Sequence, residues 1–205
     1  MKPFEPFTGR AISLPEDNVD TDIIYPARFL LITEKTGLGR YAFADRRTGG
    51  DTRFDGDDPA PILVAGANFG CGSSREQAVW SLADLGIRVI LAPSYGEIFR
   101  SNCANNGLLA AVVLPDVAAV LHAAAEVGEP FTVDLVACTV TTPDSGTHDF
   151  EIPGAARELL LNGWNETTRI LALYGEHITQ FEREQQRHSP WLWASEIQDG
   201  DLIDG

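Results

Sequence analysis

The feature that most constrains the fold is a regular alternation of short apolar runs with longer amphipathic segments after Pro61. The runs PILVAG, IRVILAP and LLAAVVLP are typical of buried strands, and each is followed by a segment with helical periodicity. Strands and helices that alternate at this spacing favour parallel pairing with right-handed crossovers. The sequence therefore predicts an α/β fold in which helices cover parallel strands.

The segments on either side of this alternation have other patterns. Residues 131–153 predict short strands joined by a Pro/Gly turn, which favours antiparallel pairing, so we expect a mixed, partly parallel sheet flanked by helices. Towards the N-terminus, GRAISL predicts a strand, and ARFLLITEKTGLGRYAF predicts a helix that ends near Gly37 and is followed by a second short turn. Residues 44–60 predict a loop from their composition.

The C-terminal quarter of the chain has helical periodicity and then a run of acids. Residues 154–188 predict helices with a break at Asn162 and Gly163. We expect one domain over residues 1–190 that includes these helices, and an acidic, mobile tail over residues 191–205.

Charge and hydropathy exclude several classes of partner. The formal net charge of −15 repels nucleic acid and anionic membrane surfaces, so we expect neither as a partner. The N-terminal segment lacks the apolar run of a signal peptide, and no window reaches the length of a membrane span. We therefore expect a cytoplasmic protein.

The cysteines give no sign of a metal site. Cys71, Cys103 and Cys138 are widely spaced and form no C-x-x-C pair, which argues against a disulfide framework and a self-contained zinc or iron–sulfur centre. We expect that this chain binds no metal by itself.

The segment AGANFGCGSSRE, which follows the first apolar run, is the best candidate for a binding site. Its three glycines permit a ligand to approach the backbone, and they precede Ser73, Ser74 and Arg75 in the predicted first turn of a helix. Backbone N–H groups, the positive end of the helix dipole and a guanidinium favour an anion there. A plainer alternative is a capping box in which Ser73 and Glu76 only satisfy backbone groups.

A nucleotide is the other alternative ligand, and the residues argue against it. Gly70 and Gly72 begin a G-x-G-x-x-G pattern, but Arg75 occupies the place of the third glycine. No G-K-[ST] follows, so a P-loop is also excluded. A small carboxylate or hydroxy acid fits better, because arginine can grip a carboxylate at two points and a stabilised Ser73 alkoxide can accept a proton.

Six segments in this order resemble one known family. They are NVDTDIIYPARFL from Asn18, KTGLG from Lys35, LVAGANFGCGSSRE from Leu63, APSYGEIFRSN from Ala92, NGLL from Asn106 and LLNG from Leu160. The chain is similar to the small-subunit family of 3-isopropylmalate dehydratase, in the aconitase superfamily. This resemblance implies a swivelling β/β/α domain, a large-subunit partner in a heterodimer with a [4Fe–4S] cluster on that partner, and a small dicarboxylate hydroxy acid as substrate.

The resemblance also implies roles for individual residues. Ser73 is the expected catalytic base and Arg75 the expected ligand of a substrate carboxylate. Five further residues are expected to bind substrate: Ser74, Asp22, Thr21, Gly72 and Asn68. Asp22 and Thr21 belong to a D-T-D turn that has a plain alternative role in shaping the loop. Leu30, Leu31 and Ile32 resemble the family's specificity loop, although apolar residues in a helix are also typical of a core.

The departures from the family pattern concern the substrate more than the fold. Gln77 stands where the family usually has histidine, beside the expected anion site. We expect a hydro-lyase subunit that acts on 3-isopropylmalate in leucine biosynthesis. Two alternatives stay open: a paralogue that acts on homoaconitate-like, methylmalate or dimethylmalate substrates, and a non-catalytic carboxylate-binding module.

Overall fold

The first two strands, β1 (Phe7–Gly9) and β2 (Ala11–Leu14), follow each other closely and belong to different sheets. The computed structural model describes residues 1–32, 34–55, 60–73 and 75–193. The strand that the sequence predicts over GRAISL is confirmed as β2, although Gly9 belongs to β1 because the chain changes sheets at Arg10, which lies between the two strands.

A parallel sheet contains the strands predicted after Pro61. It consists of β2, β3 (Ile62–Ala65), β4 (Val89–Ala92) and β5 (Leu109–Val112), paired in that order. Every residue of β3 and β4 is buried, as expected for parallel strands that are covered on both faces. These three predicted strands are confirmed.

Helices connect the parallel strands. α1 (Thr21–Ile24) and α2 (Ala44–Thr48) lie between β2 and β3 along the chain. α3 (Glu76–Asp84) follows β3, α4 (Glu97–Asn105) follows β4, and α5 (Pro115–Glu126) follows β5. The three longer helices are those that the sequence predicts.

A second sheet is antiparallel. β6 (Phe131–Asp134), β7 (Thr139–Thr142) and β8 (Gly146–Asp149) pair with β1 in the order β1-β6-β7-β8. The predicted α/β class is confirmed, but the parallel and antiparallel strands form two sheets instead of one mixed sheet. Burial explains the separate antiparallel sheet. β6 alternates buried with less buried residues, and its buried side chains pack with side chains of β4 and β5 in one core cluster.

Two helices complete the described chain. α6 (Gly154–Asn162) ends at Gly163, whose φ of +66° is the left-handed conformation common at helix ends, and α7 (Glu166–His188) follows. The predicted break between them is therefore confirmed. The chain divides into two compact units, Met1–Glu166 and Thr167–Gly205. The predicted acidic tail lies largely outside the described residues, which end at Trp193.

The helix predicted after Pro26 is wrong for the described residues, of which Ala27–Phe29 form a 3₁₀ turn. The second short turn is confirmed as the 3₁₀ turn Gly39–Tyr41. Tertiary contacts outweigh the helical periodicity here, because the Phe29 ring stacks on Tyr41 with 4.4 Å between centroids.

The predicted loop over residues 44–60 contains α2. Ion pairs from Arg46 to Glu16 and from Arg47 to Asp55 hold this helix in place, at 2.8 Å and 2.7 Å. Composition alone could not reveal them, since Glu16 is distant in sequence. Among the helices in the described residues, none has the length and apolarity needed to cross a membrane.

Candidate functional site

Two segments run side by side where β2 and β3 end. The Gly70 N–H donates to the Val19 carbonyl at 2.7 Å, and the Thr21 N–H donates to the Cys71 carbonyl at 3.0 Å. The carboxyl ends of parallel strands are the usual position of ligand sites in open α/β sheets. The D-T-D turn and the glycine-rich segment, which the sequence singles out separately, therefore form one structure.

The segment after β4 completes this edge of the sheet. The Phe69 N–H donates to the Ser94 carbonyl at 3.1 Å, and the Gly96 N–H donates to the Phe69 carbonyl at 2.9 Å. A Cβ at Gly70 would lie 2.2 Å from the Phe99 ring, so only glycine permits this approach. Packing between three loops, rather than the approach of a ligand alone, explains why position 70 is a glycine.

Ser73 lies at the end of the glycine-rich segment and is exposed. Its carbonyl accepts a hydrogen bond from Thr21 Oγ1 at 2.8 Å, and Thr21 is only 2% exposed. Gly72, immediately before it, has a φ of +89° that favours glycine. A buried threonine and a glycine turn thus fix the Ser73 backbone while its side chain stays accessible. Ser74 lies outside the described residues.

The relation of Ser73 to α3 differs from the prediction. The helix begins at Glu76, and its N-cap is Arg75, whose side chain makes no capping hydrogen bond, so Ser73 and Arg75 precede the first turn. The capping-box alternative is wrong, because the Glu76 carboxylate accepts from Asn106 Nδ2 at 2.9 Å instead of turning back towards Ser73. Ser73 has no part in capping this helix.

Arg75 is paired with Asp22. Its Nη1 donates to Asp22 Oδ1, and the arginine side chain is 18% exposed while that of the aspartate is 52% exposed. Asp20 caps α1 by accepting from the Ile23 N–H at 2.7 Å, which holds the helix that carries Asp22. The D-T-D turn therefore does more than shape a loop: each of its residues fixes a different part of the site.

The other predicted residues are placed less centrally. Asn68 has a φ of +57°, and its side chain donates to Asn18 Oδ1 at 2.8 Å, on the same edge of the sheet. The three residues of the expected specificity loop follow the first 3₁₀ turn and are not helical. Leu30 and Ile32 pack on the core and Leu31 is 94% exposed, so only Leu31 projects freely into solvent.

Asn106, which the predicted set omits, binds the helix that follows the site. Its Oδ1 accepts from Trp80 Nε1 at 3.1 Å while its Nδ2 donates to Glu76, so one amide joins two turns of α3. The motif NGLL, which contributes to the family resemblance, contains this residue. Its role was not visible from sequence because the contacts are between residues about thirty positions apart.

The cysteines have no arrangement suited to a metal. Burial raises the pKa of the Cys103 thiol well above its usual range, which disfavours the thiolate form that binds metals. Among the residues that the structure describes, no three His, Cys, Asp or Glu side chains form a group able to hold an ion.

Comparisons with known proteins give the family of this chain. A family model of the Aconitase C-terminal domain matches residues 1–115, and the LeuD_N model matches residues 121–154. The 3-isopropylmalate dehydratase small subunit of Novosphingobium aromaticivorans is 42% identical over 194 residues, which cover 94% of this chain and 95% of the relative. The chain belongs to the 3-isopropylmalate dehydratase small-subunit family.

Other members of the small-subunit family support the assignment. That of Rhodospirillum centenum is 43% identical over 202 residues, covering 93% of this chain and 98% of the relative. A crystal structure of 3-isopropylmalate dehydratase from Methanocaldococcus jannaschii matches with a TM-score of 0.64 and 30% identity, covering 87% of this chain and 99% of that one. As a member of this family, the chain is a hydro-lyase subunit of the aconitase class.

Proposed function

We propose that this small subunit acts with a large subunit to interconvert alkylmalates by dehydration and rehydration, with 3-isopropylmalate as the substrate. The names of the curated relatives support the substrate and the partner. One observation carries the assignment to residues: Thr21 and Asp22, on one segment, hold Ser73 and Arg75 on another at the carboxyl edge of the parallel sheet. The pathway that this activity serves is leucine biosynthesis, in the cytoplasm.

Arg75 binds a carboxylate of the substrate in this proposal. Its guanidinium has five N–H donors in a planar fork, and Asp22 engages Nη1, so other donors stay available for a second carboxylate. The ion pair with Asp22 fixes the direction of the fork before substrate arrives. Such an anchored arginine also supplies local positive charge in a protein whose net charge is −15.

Ser73 is the base that removes a proton from the carbon next to the bound carboxylate. The Ser73 alkoxide takes the proton, the C–H electron pair forms the C=C bond, and the hydroxyl leaves the neighbouring carbon as hydroxide with the C–O electron pair. Rehydration reverses these steps with the hydroxyl on the other carbon, and Ser73 returns the proton. The side chain is exposed for this contact, whereas its carbonyl is held by Thr21. Positive charge on Arg75 favours the alkoxide.

Four further residues support substrate binding in the proposal: Thr21, Gly72, Ser74 and Asn68. Thr21 and Gly72 act through the backbone of Ser73, while Asn68 offers an exposed amide on the same edge. Leu30, Leu31 and Ile32 contact the alkyl group of the substrate, with Leu31 projecting furthest into solvent.

The [4Fe–4S] cluster belongs to the large subunit in this proposal. The residues described here do not fit such a cluster, because its usual ligands are cysteine thiolates and Cys103 is buried in the core, away from the other two cysteines in sequence. The chemistry that the cluster supplies is Lewis acidity towards the departing hydroxyl.

Reconstitution with the large subunit tests the substrate. The purified complex is offered 3-isopropylmalate and the corresponding methyl- and dimethyl-substituted malates, and formation of the unsaturated diacid is followed by absorbance. We expect the highest kcat/KM with 3-isopropylmalate. A preference for the smaller substrates would contradict the leucine assignment and would direct attention to Gln77, which is half-buried in the first turn of α3.

A further inference from the structure

The motif KTGLG, residues 35–39, lies against α3 and has no part in the chemistry proposed above. The Gly37 N–H donates to Asp84 Oδ1 at 3.1 Å, and the Gly39 N–H donates to Asp84 Oδ2 at 2.7 Å. Lys35 Nζ lies 4.4 Å from the centre of the Trp80 ring. Trp80 and Asp84 are four residues apart and lie on one face of α3, so the turn 35–39 packs on this face.

The contact with α3 requires glycine at position 39, and the conformation of the turn favours glycine at position 37. A Cβ at Gly39 would lie 2.7 Å from the Leu85 nitrogen and 2.9 Å from the Asp84 carbonyl carbon, so the two backbones touch directly. Gly37 has a φ of +77° and open space around it, so its requirement is conformational. Leu38 between them is fully buried in the core. Docking on α3 thus explains Gly39, while the shape of the turn explains Gly37 and burial in the core explains Leu38.

Asp84 is unusual for its position in the helix. It is the last residue of α3, where a negative charge opposes the helix dipole. Its side chain lies at the surface, so packing does not explain it either. The two backbone N–H groups that it accepts are the favourable interactions that the structure provides for this carboxylate.

The same helix holds the substrate-binding arginine at its other end. Arg75 is the N-cap of α3 and pairs with Asp22, while Asp84 ends the helix and holds the turn at 37–39. Nine residues separate the two, a rise of about 13 Å along a helix. The residues 30–32, which carry the exposed Leu31, lie along the chain between these attachments.

We infer that Asp84 is a positioning residue for substrate selection, which holds the turn 35–39 on α3 and thereby sets residues 30–32 relative to Arg75. This inference rests on the proposed function, since it assumes that Leu30, Leu31 and Ile32 meet the alkyl group of the substrate. Asp84 then affects how the alkyl group fits and has no effect on proton transfer.

Kinetics of the reconstituted complex test the inference. In Asp84→Ala, we expect kcat/KM for 3-isopropylmalate to fall on the order of tenfold, mainly through KM, with a smaller fall for the methyl-substituted malate. For Asp84→Asn, which keeps one acceptor oxygen, we expect a kcat/KM for 3-isopropylmalate between those of Asp84→Ala and the wild type. The discrimination between isopropyl and methyl groups therefore narrows in both variants.

A matched control comes from the antiparallel sheet. Asp134 also accepts two backbone N–H groups, from Val136 at 2.7 Å and Ala137 at 2.9 Å, in a turn distant in sequence from the site. Asp134→Ala removes the acceptor of two backbone N–H groups, as Asp84→Ala does, and leaves discrimination unchanged. Unchanged discrimination in both Asp84 variants would overturn the inference, as would an equal loss of kcat for both substrates.

A second variant covers the case in which Asp84→Ala fails to fold or assemble. Gly37→Ala places a methyl group in open space and strains only the left-handed turn, so α3 and its side chains stay unchanged. We expect the same narrowing of discrimination, and wild-type discrimination in this variant would contradict the inference.

Hydrogen exchange separates this inference from the proposed function. In the complex, exchange at the Gly37 and Gly39 amides is expected to accelerate at least about tenfold in Asp84→Ala and to stay unchanged in Asp134→Ala. This readout does not depend on catalysis, so it stands even if Ser73 proves not to be the base. Unchanged exchange at both amides in Asp84→Ala overturns the positioning role.

Discussion

The carboxyl edge of the parallel sheet and the turns of the antiparallel sheet use similar side chains in different ways. Asp134 accepts N–H groups two and three residues along the chain, so its turn is closed locally. At the carboxyl edge, Thr21 binds Ser73 across 52 residues and Arg75 binds Asp22 across 53. A site made of long-range contacts exists only once the parallel sheet has assembled, whereas the antiparallel turns need little else.

Core truncation gives the largest expected contrast between the two regions. Leu63 in β3 is fully buried, and Leu63→Ala is expected to lower the free energy of unfolding by about 3 kcal/mol. Val136, in the turn after β6, is 62% exposed, and Val136→Ala is expected to cost less than about 0.5 kcal/mol. Urea denaturation measures both values. Similar losses would mean that the parallel sheet is not the more tightly packed region.

The next contrast concerns two arginines. Arg75→Lys removes the planar fork and is expected to lower kcat/KM by about 30-fold, or about 2 kcal/mol, mainly through KM. Arg157 donates to the carbonyls of Leu135 and Val136, at 3.1 Å and 2.8 Å, beside the antiparallel sheet. Arg157→Lys is expected to leave the kinetics of the complex unchanged. A wild-type KM in Arg75→Lys would exclude a carboxylate-binding role.

Substitution of Asp22 is expected to change KM less than Arg75→Lys does, and the direction of the change is informative. If Asp22 orients the guanidinium, Asp22→Asn raises KM by about fivefold, or about 1 kcal/mol. A decrease in KM would instead mean that Asp22 competes with the substrate carboxylate. Asp55→Asn is the control, because Asp55 pairs with Arg47 at 2.7 Å outside the carboxyl edge, and its KM is expected to match the wild type.

The smallest effect concerns pH and the helix that covers the parallel sheet. His122 of α5 is half-buried beside Ser13, and burial lowers its pKa, against the opposing influence of Glu126 and Glu16. Because its pKa is lowered in the folded state, His122 takes up a proton at a higher pH in the unfolded chain than in the folded one. The folded state therefore loses stability as the pH drops below about 6.5, the ordinary pKa of histidine. His122→Gln is expected to flatten this dependence in urea denaturation between neutral and mildly acidic pH. An unchanged pH dependence in this variant would contradict the effect assigned to His122.

The same contrast explains what the sequence can predict. The strands after Pro61 and the break at Gly163 are confirmed, because apolar runs and a glycine helix end are local signals. The helix expected after Pro26 fails, because Phe29 and Tyr41 meet across the chain and replace its periodicity. Long-range contacts decide that region, and sequence patterns do not record them.

The candidate site follows the same rule. Ser73, Arg75 and Asp22 are predicted from the serine and arginine pattern and from the family resemblance; in the structure, Arg75 pairs with Asp22, and Thr21 holds the Ser73 carbonyl. The start of α3 is predicted too early, because the backbone of Arg75 is extended and the Glu76 carboxylate binds Asn106 at another helix end. The partner of a side chain, rather than its type, is what the sequence leaves undetermined.

Turnover by the complex of Ser73→Ala with the large subunit tests the central claim most directly. We expect kcat for 3-isopropylmalate to fall by at least about 1,000-fold while substrate still binds, because Arg75 is intact and the base is lost. Ser145→Ala, in the turn between β7 and β8, is the control and is expected to retain full activity. Turnover within about tenfold of the wild type in Ser73→Ala would contradict the assignment of Ser73 as the base.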